Sequence, residues 1–429
     1  MSPKTRPYRK IMLDNWLMPV FIITLIAIQV VYPHKTWEIL IYGFGCAFAI
    51  SSIWAYSLFR GLNFRREMRL SWAKVGDVFH ERFFIENRSR FPALWVSLID
   101  YSNLPGHQVN AVWHVNRNAD KSWIKGSACY TRGNFSVGPT DIEASDPFGI
   151  FKIKIHYPEK KKMLVIPPII QLSSIGIALG DLSGEGRKKK QSILRTTTST
   201  SVREYVPGDN LHTIHWLTSA RRGDVHVRTF DKTPSSYWWI FLDMDENVQI
   251  GFDSNATDEY AIILAASIAN RGLQIGRSVG LVAEGTKSIW LPPKAGTGMR
   301  WDILNNLATI SRGITPLSKL IANHQKKIGR NTSAIIITSS VDKNWLFSIS
   351  KLTKKGISVT VLLLEPKEFG GKSDAKKIIS TLASWGVKYY KISPDIYSRP
   401  DVHNFFIEQS KYQNTSKQIT GYLDWGKFK

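Results

Sequence analysis

Two apolar blocks stand near the head of the chain. Trp16 to Tyr32 is broken only by Thr24 and Gln29, with Pro19 in its first turn, where a missing N–H costs little. Ile39 to Phe59 follows, about the length that crosses ~30 Å of hydrocarbon at about 1.5 Å per residue. Only Pro33, His34, Lys35, Thr36, Trp37 and Glu38 lie between them, so the pattern predicts a helical hairpin with both outer ends on one side of a membrane. Lys4, Arg6, Arg9 and Lys10 precede it and Arg60, Arg65, Arg66 and Arg69 follow, against Lys35 alone in the loop; this bias puts both ends in the cytoplasm. Trp16, Tyr32, Trp37 and Tyr56 are placed as interface anchors. A cleaved signal peptide shares the basic start, but no small-x-small site follows Tyr32 and a second apolar block does.

From about Asn63 to Pro168 the period becomes two. Val109, Ala111, Trp113 and Val115 alternate with polar neighbours, as do Phe151, Ile153, Ile155 and Tyr157 with Lys152, Lys154 and His156. Turn signals at Gly76-Asp77, Asn87-Arg88-Ser89, Pro105-Gly106 and Asp146-Pro147-Phe148-Gly149 space the strands as in a small antiparallel sandwich. His80, His107, His114 and His156 are scattered, not at metal-ligand spacing, and read as solvent-facing strand residues. Gln171 to Ser201 then turns into a Gly-rich and basic connector with Arg187-Lys188-Lys189-Lys190. It lacks the interleaved aromatics that stack bases, so it reads as a solvated or lipid-facing run.

Val202 to Phe230 changes character within thirty residues. Arg203 and Glu204 end an extended run, and Val206-Pro207-Gly208-Asp209 has the chemistry of a type II turn, with Asp209 able to cap a helix. Leu211, Ile214 and Leu217 then repeat at helical spacing, with Trp216 and Ala220 widening the apolar face. Gly223-Asp224 closes the helix, and Val225 to Phe230 alternates like a strand. Beyond Phe230 short apolar strands alternate with longer helical patterns. Strands are expected over 236–244, 278–283, 334–338, 358–364 and 388–392, helices over 257–273, 300–311, 317–324, 345–355, 374–385 and near 401–409, and a hairpin partner over 287–291. This is the signature of a mainly parallel, doubly wound α/β sheet, whose ligands gather beyond the carboxyl ends of the strands. The expected fold is thus multidomain: a basic N-terminus (1–15), a transmembrane helical hairpin (16–59), an antiparallel β-sandwich (60–168), a basic connector with the 202–230 stretch (169–235), an α/β domain (236–411) and a tail (412–429).

Charge sharpens this picture. Lys and Arg number 57 against 34 Asp and Glu, a formal +23. That would draw nucleic acid, but equally an anionic membrane surface, and the hairpin favours membrane lipid over nucleic acid as the partner. Cys46 and Cys129 stand alone, which fits a reducing compartment. The 202–230 stretch permits a Ser-His-Asp set on paper, Ser219, His215 and Asp209, but no nucleophile elbow or oxyanion donors accompany it. The residues read better as a buried polar network in which Arg203, Glu204, Asp209 and Arg221 fix turn and helix, with Trp216 as packed anchor.

Two resemblances follow from these residues. The 236–411 half resembles a von Willebrand factor A domain, whose adhesion-type metal site takes an Asp-x-Ser-x-Ser loop, a Thr before a helix and an Asp after a later strand. Asp243 and Thr315 match; Asp245 and Asn247 stand where serines would be, and Ser339 about where the Asp is expected, with Asp342 near. The resemblance implies Mg2+ at Asp243, Asp245, Asn247, Thr315 and Ser339; the residues alone allow a sheet-end turn held by carboxylate hydrogen bonds. Second, Arg203-Glu204-Tyr205, Pro207-Gly208-Asp209, Ile214-His215-Trp216 and Ser219-Ala220-Arg221, supported by Arg132-Gly133, Gly138-Pro139 and Asp146-Pro147-Phe148-Gly149, resemble the bacterial and archaeal family called domain of unknown function fifty-eight. His212 stands where an Arg is common in that family, and Leu217 where a Lys is. The resemblance implies no enzymatic activity and a partnership with MoxR-type AAA+ ATPases and other von Willebrand-type proteins in assembling or remodelling client proteins. The expectation is a scaffold or adaptor tethered to the inner, cytoplasmic membrane with its soluble domains in the cytoplasm. The competing expectation is a metal-dependent hydrolase built on Asp243, Asp245 and Thr315.

Overall fold

The computed structural model describes residues 7–107, 109–172, 174–177, 199–206, 214–230, 237–330 and 332–397. They form two compact units, one built on the first 170 residues and one on most of the rest. The chain opens with a strand where only a basic N-terminus was expected: β1 (Tyr8–Leu13) precedes α1 (Leu17–Val31) and α2 (Lys35–Gly61). His34 caps α2 by accepting from the Thr36 N–H at 3.2 Å, and Gln29 donates to Glu38 across the turn, so the two helices fold back on each other. The Phe21 and Phe44 rings meet edge to face at 5.0 Å. Among the described residues one helix, α2, is long and apolar enough to cross a membrane; α1, at 15 residues, is shorter than the expected span.

The last three turns of α2 bury Ser51, Ala55, Leu58 and Gly61, one stripe at helical spacing, against the sheets below. Gly61 permits that approach, since a Cβ there would lie 2.4 Å from the Ser89 backbone nitrogen. Trp54 stacks on Phe91 at 4.6 Å and donates its indole N–H to the Pro92 carbonyl. Ten strands follow: β2 (Leu62–Met68), β3 (Trp72–Lys74), β4 (Val78–Asn87), β5 (Ala93–Asp100), β6 (Ala111–Val115), β7 (Ala119–Ala128), β8 (Gly133–Val137), β9 (Thr140–Ser145), β10 (Phe151–Tyr157) and β11 (Lys161–Ile166). They make a five-stranded sheet, β1-β10-β9-β5-β6, and two of three strands, β2-β4-β7 and β3-β11-β8. Pairing is antiparallel except for β3 with β11. The period-two pattern is explained by the core: Phe83, Ile85, Val96, Leu98, Ile142, Ile153 and Ile155 point into one cluster. On the outer side Lys152 and Lys154 pair with Glu143 and Asp141.

In the second unit β12 (Ser199–Glu204) and β13 (His226–Phe230) pair antiparallel around α3 (Trp216–Arg222). Next come β14 (Tyr237–Leu242), α4 (Thr257–Gln274), β15 (Ser278–Glu284), β16 (Ser288–Lys294), α5 (Thr297–Thr309), α6 (Leu317–His324), β17 (Ser333–Thr338), α7 (Asn344–Lys354), β18 (Ser358–Leu364), α8 (Lys376–Ser384) and β19 (Lys388–Ile392). The sheet order is β16-β15-β14-β17-β18-β19, parallel throughout except for the edge strand β16. Alternate residues of β14 face opposite layers. Trp239 and Phe241 join Leu320, Trp345, Ile349 and Leu382 in one cluster, while Trp238 lies against Gly272 and Arg271 of α4. The expected elements of this unit are present with small shifts at their ends. The helix expected near 401–409, the basic cluster 187–190 and the tail lie outside the described residues.

Trp345, fully buried under β17 and β18, is the largest side chain sealed in this core. Trp345→Ala should lower unfolding stability of the second unit by ~3–5 kcal/mol, read from the urea midpoint of the full chain.

Candidate functional site

The order of the six-stranded sheet reverses between β14 and β17, so the loops leaving these strands mark its switch point. There the structure brings together Asp243, Asp245, Asn247 and Ser339. Asp243 is turned into the fold: Thr338 donates to its Oδ2 at 2.6 Å and the Asp245 N–H to its Oδ1 at 3.2 Å. Burial pushes its carboxyl up to about 6, more than the hydrogen bond from Thr338 pulls it down. Asp245 Oδ1 accepts from both the backbone N–H and the side-chain amide of Asn247, capping a short turn of helix over Glu246–Val248. Ser339 donates to the Val248 carbonyl at 2.7 Å, and Gln249 donates to the carbonyl of Asp243. Asp245 bridges to Gly313, which leaves Thr315 half-buried two residues further along that loop.

These donors do not fit Mg2+. The ion takes oxygen ligands from ionised carboxylates held open to its waters, whereas Asp243, the carboxylate at the pattern's first position, has both oxygens engaged by the fold and Asp245 is buried beside it. Among the described residues no three His, Cys, Asp or Glu side chains converge where a metal could sit. The switch point is a turn held by carboxylate hydrogen bonds.

The 202–230 stretch is also rearranged. Ile214 is extended and bridges Val227, so the helix begins only at Trp216, two residues past the position where apolar spacing continued it. His215 caps α3, its Nδ1 accepting from the Thr218 N–H at 3.2 Å and lying 2.6 Å from the Thr218 hydroxyl. Ser219 is hydrogen-bonded to backbone instead, donating to the His215 carbonyl and accepting from the His226 N–H at 2.9 Å. The Ser219–His215 couple is therefore not formed, and Asp209 lies outside the described residues with Pro207 and Gly208. Gly223 ends α3 in the left-handed region, at φ 82°, as a C-cap glycine does. Tyr205 donates its N–H to Val225, extending the β12–β13 ladder past Glu204. Arg203 pairs with Val227 in that ladder. Glu204 and Arg221 are exposed, so the expected buried network does not include them. Trp216 is no packed anchor: it is 70% exposed, and Leu217 beside it 63%.

A cluster the sequence did not disclose lies inside the first unit. His107 Nε2 sits 3.1 Å from Glu81 Oε2 and 3.2 Å from Asp100 Oδ2, shared between two carboxylates, while its Nδ1 meets Ser127 Oγ at 2.9 Å. Arg66 lies 3.4 Å from Glu81 and bonds Asp100, which also accepts from Ser102 and Thr140. All four ionic side chains are buried. Burial alone would pull the His107 pKa down, but its bonds to Asp100 and Glu81 outweigh that and hold it above the usual value. Burial would likewise raise Asp100, yet His107, Arg66 and Ser102 together hold it well below the usual carboxylate range. Arg66 and, when protonated, His107 thus balance two carboxylates away from water. His107 is no solvent-facing strand histidine.

The class defined so far is a β-rich unit bearing an apolar helix pair, followed in the chain by a six-stranded α/β unit with the β12–α3–β13 hairpin before it. Residues 201–370 match the family described as "Protein of unknown function DUF58". An uncharacterized protein of Mycobacterium tuberculosis is 22% identical over 225 residues, 51% of this chain and 68% of its own length. The uncharacterized protein YeaD of Bacillus subtilis is 28% identical over 175 residues, 40% of this chain and 41% of its own. Among solved structures, a CARDB domain from Pyrococcus furiosus is 8% identical and covers 26% of this chain and 98% of its own, at a TM-score of 0.19.

Two pH responses follow. Because His107 is raised in the fold, its contribution is complete below about pH 6.5 and is lost as pH climbs through the raised value. The first unit's melting temperature should therefore fall on the alkaline side, and His107→Gln should flatten that slope. Asp243 is also raised, so the fold favours its protonated form and stability declines as pH rises through about 6. Asp243→Asn should remove that decline, and added Mg2+ should move the melting temperature of neither protein.

Proposed function

We propose that this chain is a membrane-tethered scaffold whose α1–α2 hairpin crosses the cytoplasmic membrane twice and whose soluble units lie in the cytoplasm. In this reading it belongs with the domain of unknown function fifty-eight proteins along its length, and it works with a MoxR-type AAA+ ATPase and other von Willebrand-type proteins in assembling or remodelling client proteins. The observation that carries it is the fate of the chain on either side of the hairpin. β1 precedes α1 and pairs with β10 from Tyr8↔His156 to Leu13↔Phe151, while α2 runs straight into β2 of the same unit. A single crossing would put a bilayer between β1 and β10, so α1 and α2 cross together or not at all. Their outward side chains favour crossing: Leu17, Val20, Ile23, Ile26, Val30 and Ile39 are apolar and exposed. The basic residues Arg9, Lys10, Arg60 and Arg65 flank the open end, against Lys35 at the tip, which favours a cytoplasmic open end.

The α/β unit, read as von Willebrand factor A-like on its sheet order, supplies architecture rather than a metal centre. The partner-facing element in this reading is the β12–α3–β13 hairpin. Its Trp216, Leu217 and Val225 are exposed apolar side chains, and aromatic residues at interfaces dominate binding energy. Leu217, in place of the Lys common among relatives, makes that contact more apolar here.

Pull-down of the full chain from gently solubilised membranes in the presence of ATP should recover an AAA+ ATPase. Trp216→Glu should reduce recovery by roughly tenfold or more while leaving the melting curve unchanged. Membranes that yield no ATPase with either ATP or ADP would remove the partner half of the reading.

A further inference from the structure

The strand ends locate one pole of the first unit. Leu13, Leu62, Asn87, Ala93, Val115, Ala119, Ser145 and Phe151 all end or begin strands on the side where the hairpin leaves, so the loops 14–16, 88–92, 116–118 and 146–150 share that pole. Their contacts with α2 set their height along it. Arg88 donates its N–H to Gly61, Arg90 donates its N–H to Ser57 Oγ at 3.0 Å, Phe91 stacks on Trp54, and Phe151 meets Phe48 at 5.4 Å. One face of the helix is thus covered by protein up to about Phe48–Ser51, while Ile53 and Tyr56 on its other face stay exposed.

What remains free is short. α1 and the part of α2 before Ser51 each rise about 22–24 Å, against a hydrocarbon core of ~30 Å. A hairpin of that reach draws the loops at its base into the headgroup layer. Those loops are furnished for it. Phe148 is 58% exposed at the tip of a loop that is held firmly: Asp146, itself buried, accepts from the Phe148 and Phe151 N–H groups at 2.9 and 2.6 Å. Trp16 is 68% exposed at the entry to α1. Arg88, Arg90 and Arg117 are exposed on the neighbouring loops. The carboxylates at this pole are Asp14, Glu86, Asp120 and Asp146. Asp120 and Glu86 face Arg88, and Asp146 is spent on its own loop, while among the described residues no carboxylate lies within ion-pair distance of Arg90 or Arg117.

We propose that this pole is a second membrane contact: Arg90 and Arg117 bind phospholipid phosphates while Phe148 and Trp16 lodge among the headgroups. The inference rests on the hairpin reading above, and its test separates the two. The full chain carrying Cys46→Ser, with the buried Cys129 retained, is given a single nitroxide at Ile26→Cys, Phe148→Cys, Asn116→Cys or Leu70→Cys and placed in nanodiscs of equimolar dioleoyl phosphatidylcholine and phosphatidylglycerol. Collision rates with oxygen and with a water-soluble nickel chelate report depth. The label at 26 is expected in hydrocarbon, those at 148 and 116 at headgroup depth, and that at 70, on the opposite pole, in water. Arg90→Glu with Arg117→Glu should raise nickel accessibility at 148 and 116 several-fold and leave 26 unchanged. A label at 26 in lipid with 116 and 148 as nickel-accessible as 70 overturns the second contact and leaves the hairpin standing. A label at 26 in water overturns both.

Discussion

The pairing of β1 with β10 is the constraint on which the first unit depends. Six residues ahead of the apolar helices are hydrogen-bonded to a strand more than a hundred residues later. The chain leaves the sheet at Leu13, runs out and back through α1 and α2, and returns as β2 at Leu62. Long-range pairing of this kind closes a large loop, and the cost of closure grows only slowly with loop length. Once β1 is in place the hairpin has no freedom to send its two ends apart. Arg9 reinforces the closure, bonding the Phe59 carbonyl and Asn63 Oδ1 from the β1 side.

The buried quartet of Arg66, Glu81, Asp100 and His107 works inside the same unit in a different manner. Burying four ionisable groups is costly, and pairing them returns that cost without much surplus. What the arrangement supplies is exclusivity of register: β2, β4, β5 and the loop before β6 each contribute one member, so a slip of any strand would leave a charge in the core without its counterpart. The carboxylates of Asp243 and Asp245 act more locally, each spent on the turn that follows its own strand.

Much of this was legible in residue order where one element carries its own pattern. The alternation of β10, the continuous apolar strands β14, β17 and β18, and the helical spacing of α4 all name their structure without help from distant residues. β1 is different. Tyr-Arg-Lys-Ile-Met-Leu has no clean alternation and sits beside a far stronger apolar signal, so only its partner β10 reveals it as a strand. His107 illustrates the same limit for chemistry, since its meaning comes from Glu81 and Asp100, remote in the chain and neighbours only after folding. Trp216 shows a third limit: counting apolar positions assumes a helix already running at Leu211, whereas Ile214 makes an isolated bridge to Val227, and the seven residues of α3 leave Trp216 exposed. The matched carboxylate and threonine of the von Willebrand-type pattern were visible, but whether a carboxylate faces a ligand or the core is decided by side-chain direction, and Thr338 decides it here.

α2 is one unbroken helix of 27 residues, free of proline, its lower turns seated on the sheets through Gly61 and Trp54 and its upper turns standing clear. It has no joint at the point where it leaves the protein. A rod about 40 Å long, clamped at one end, behaves as a lever: in the proposed bilayer, tilting its free end to suit a thicker or thinner membrane would turn the β-sheets with it. Under that proposal, bilayer thickness would set the angle at which this unit is held.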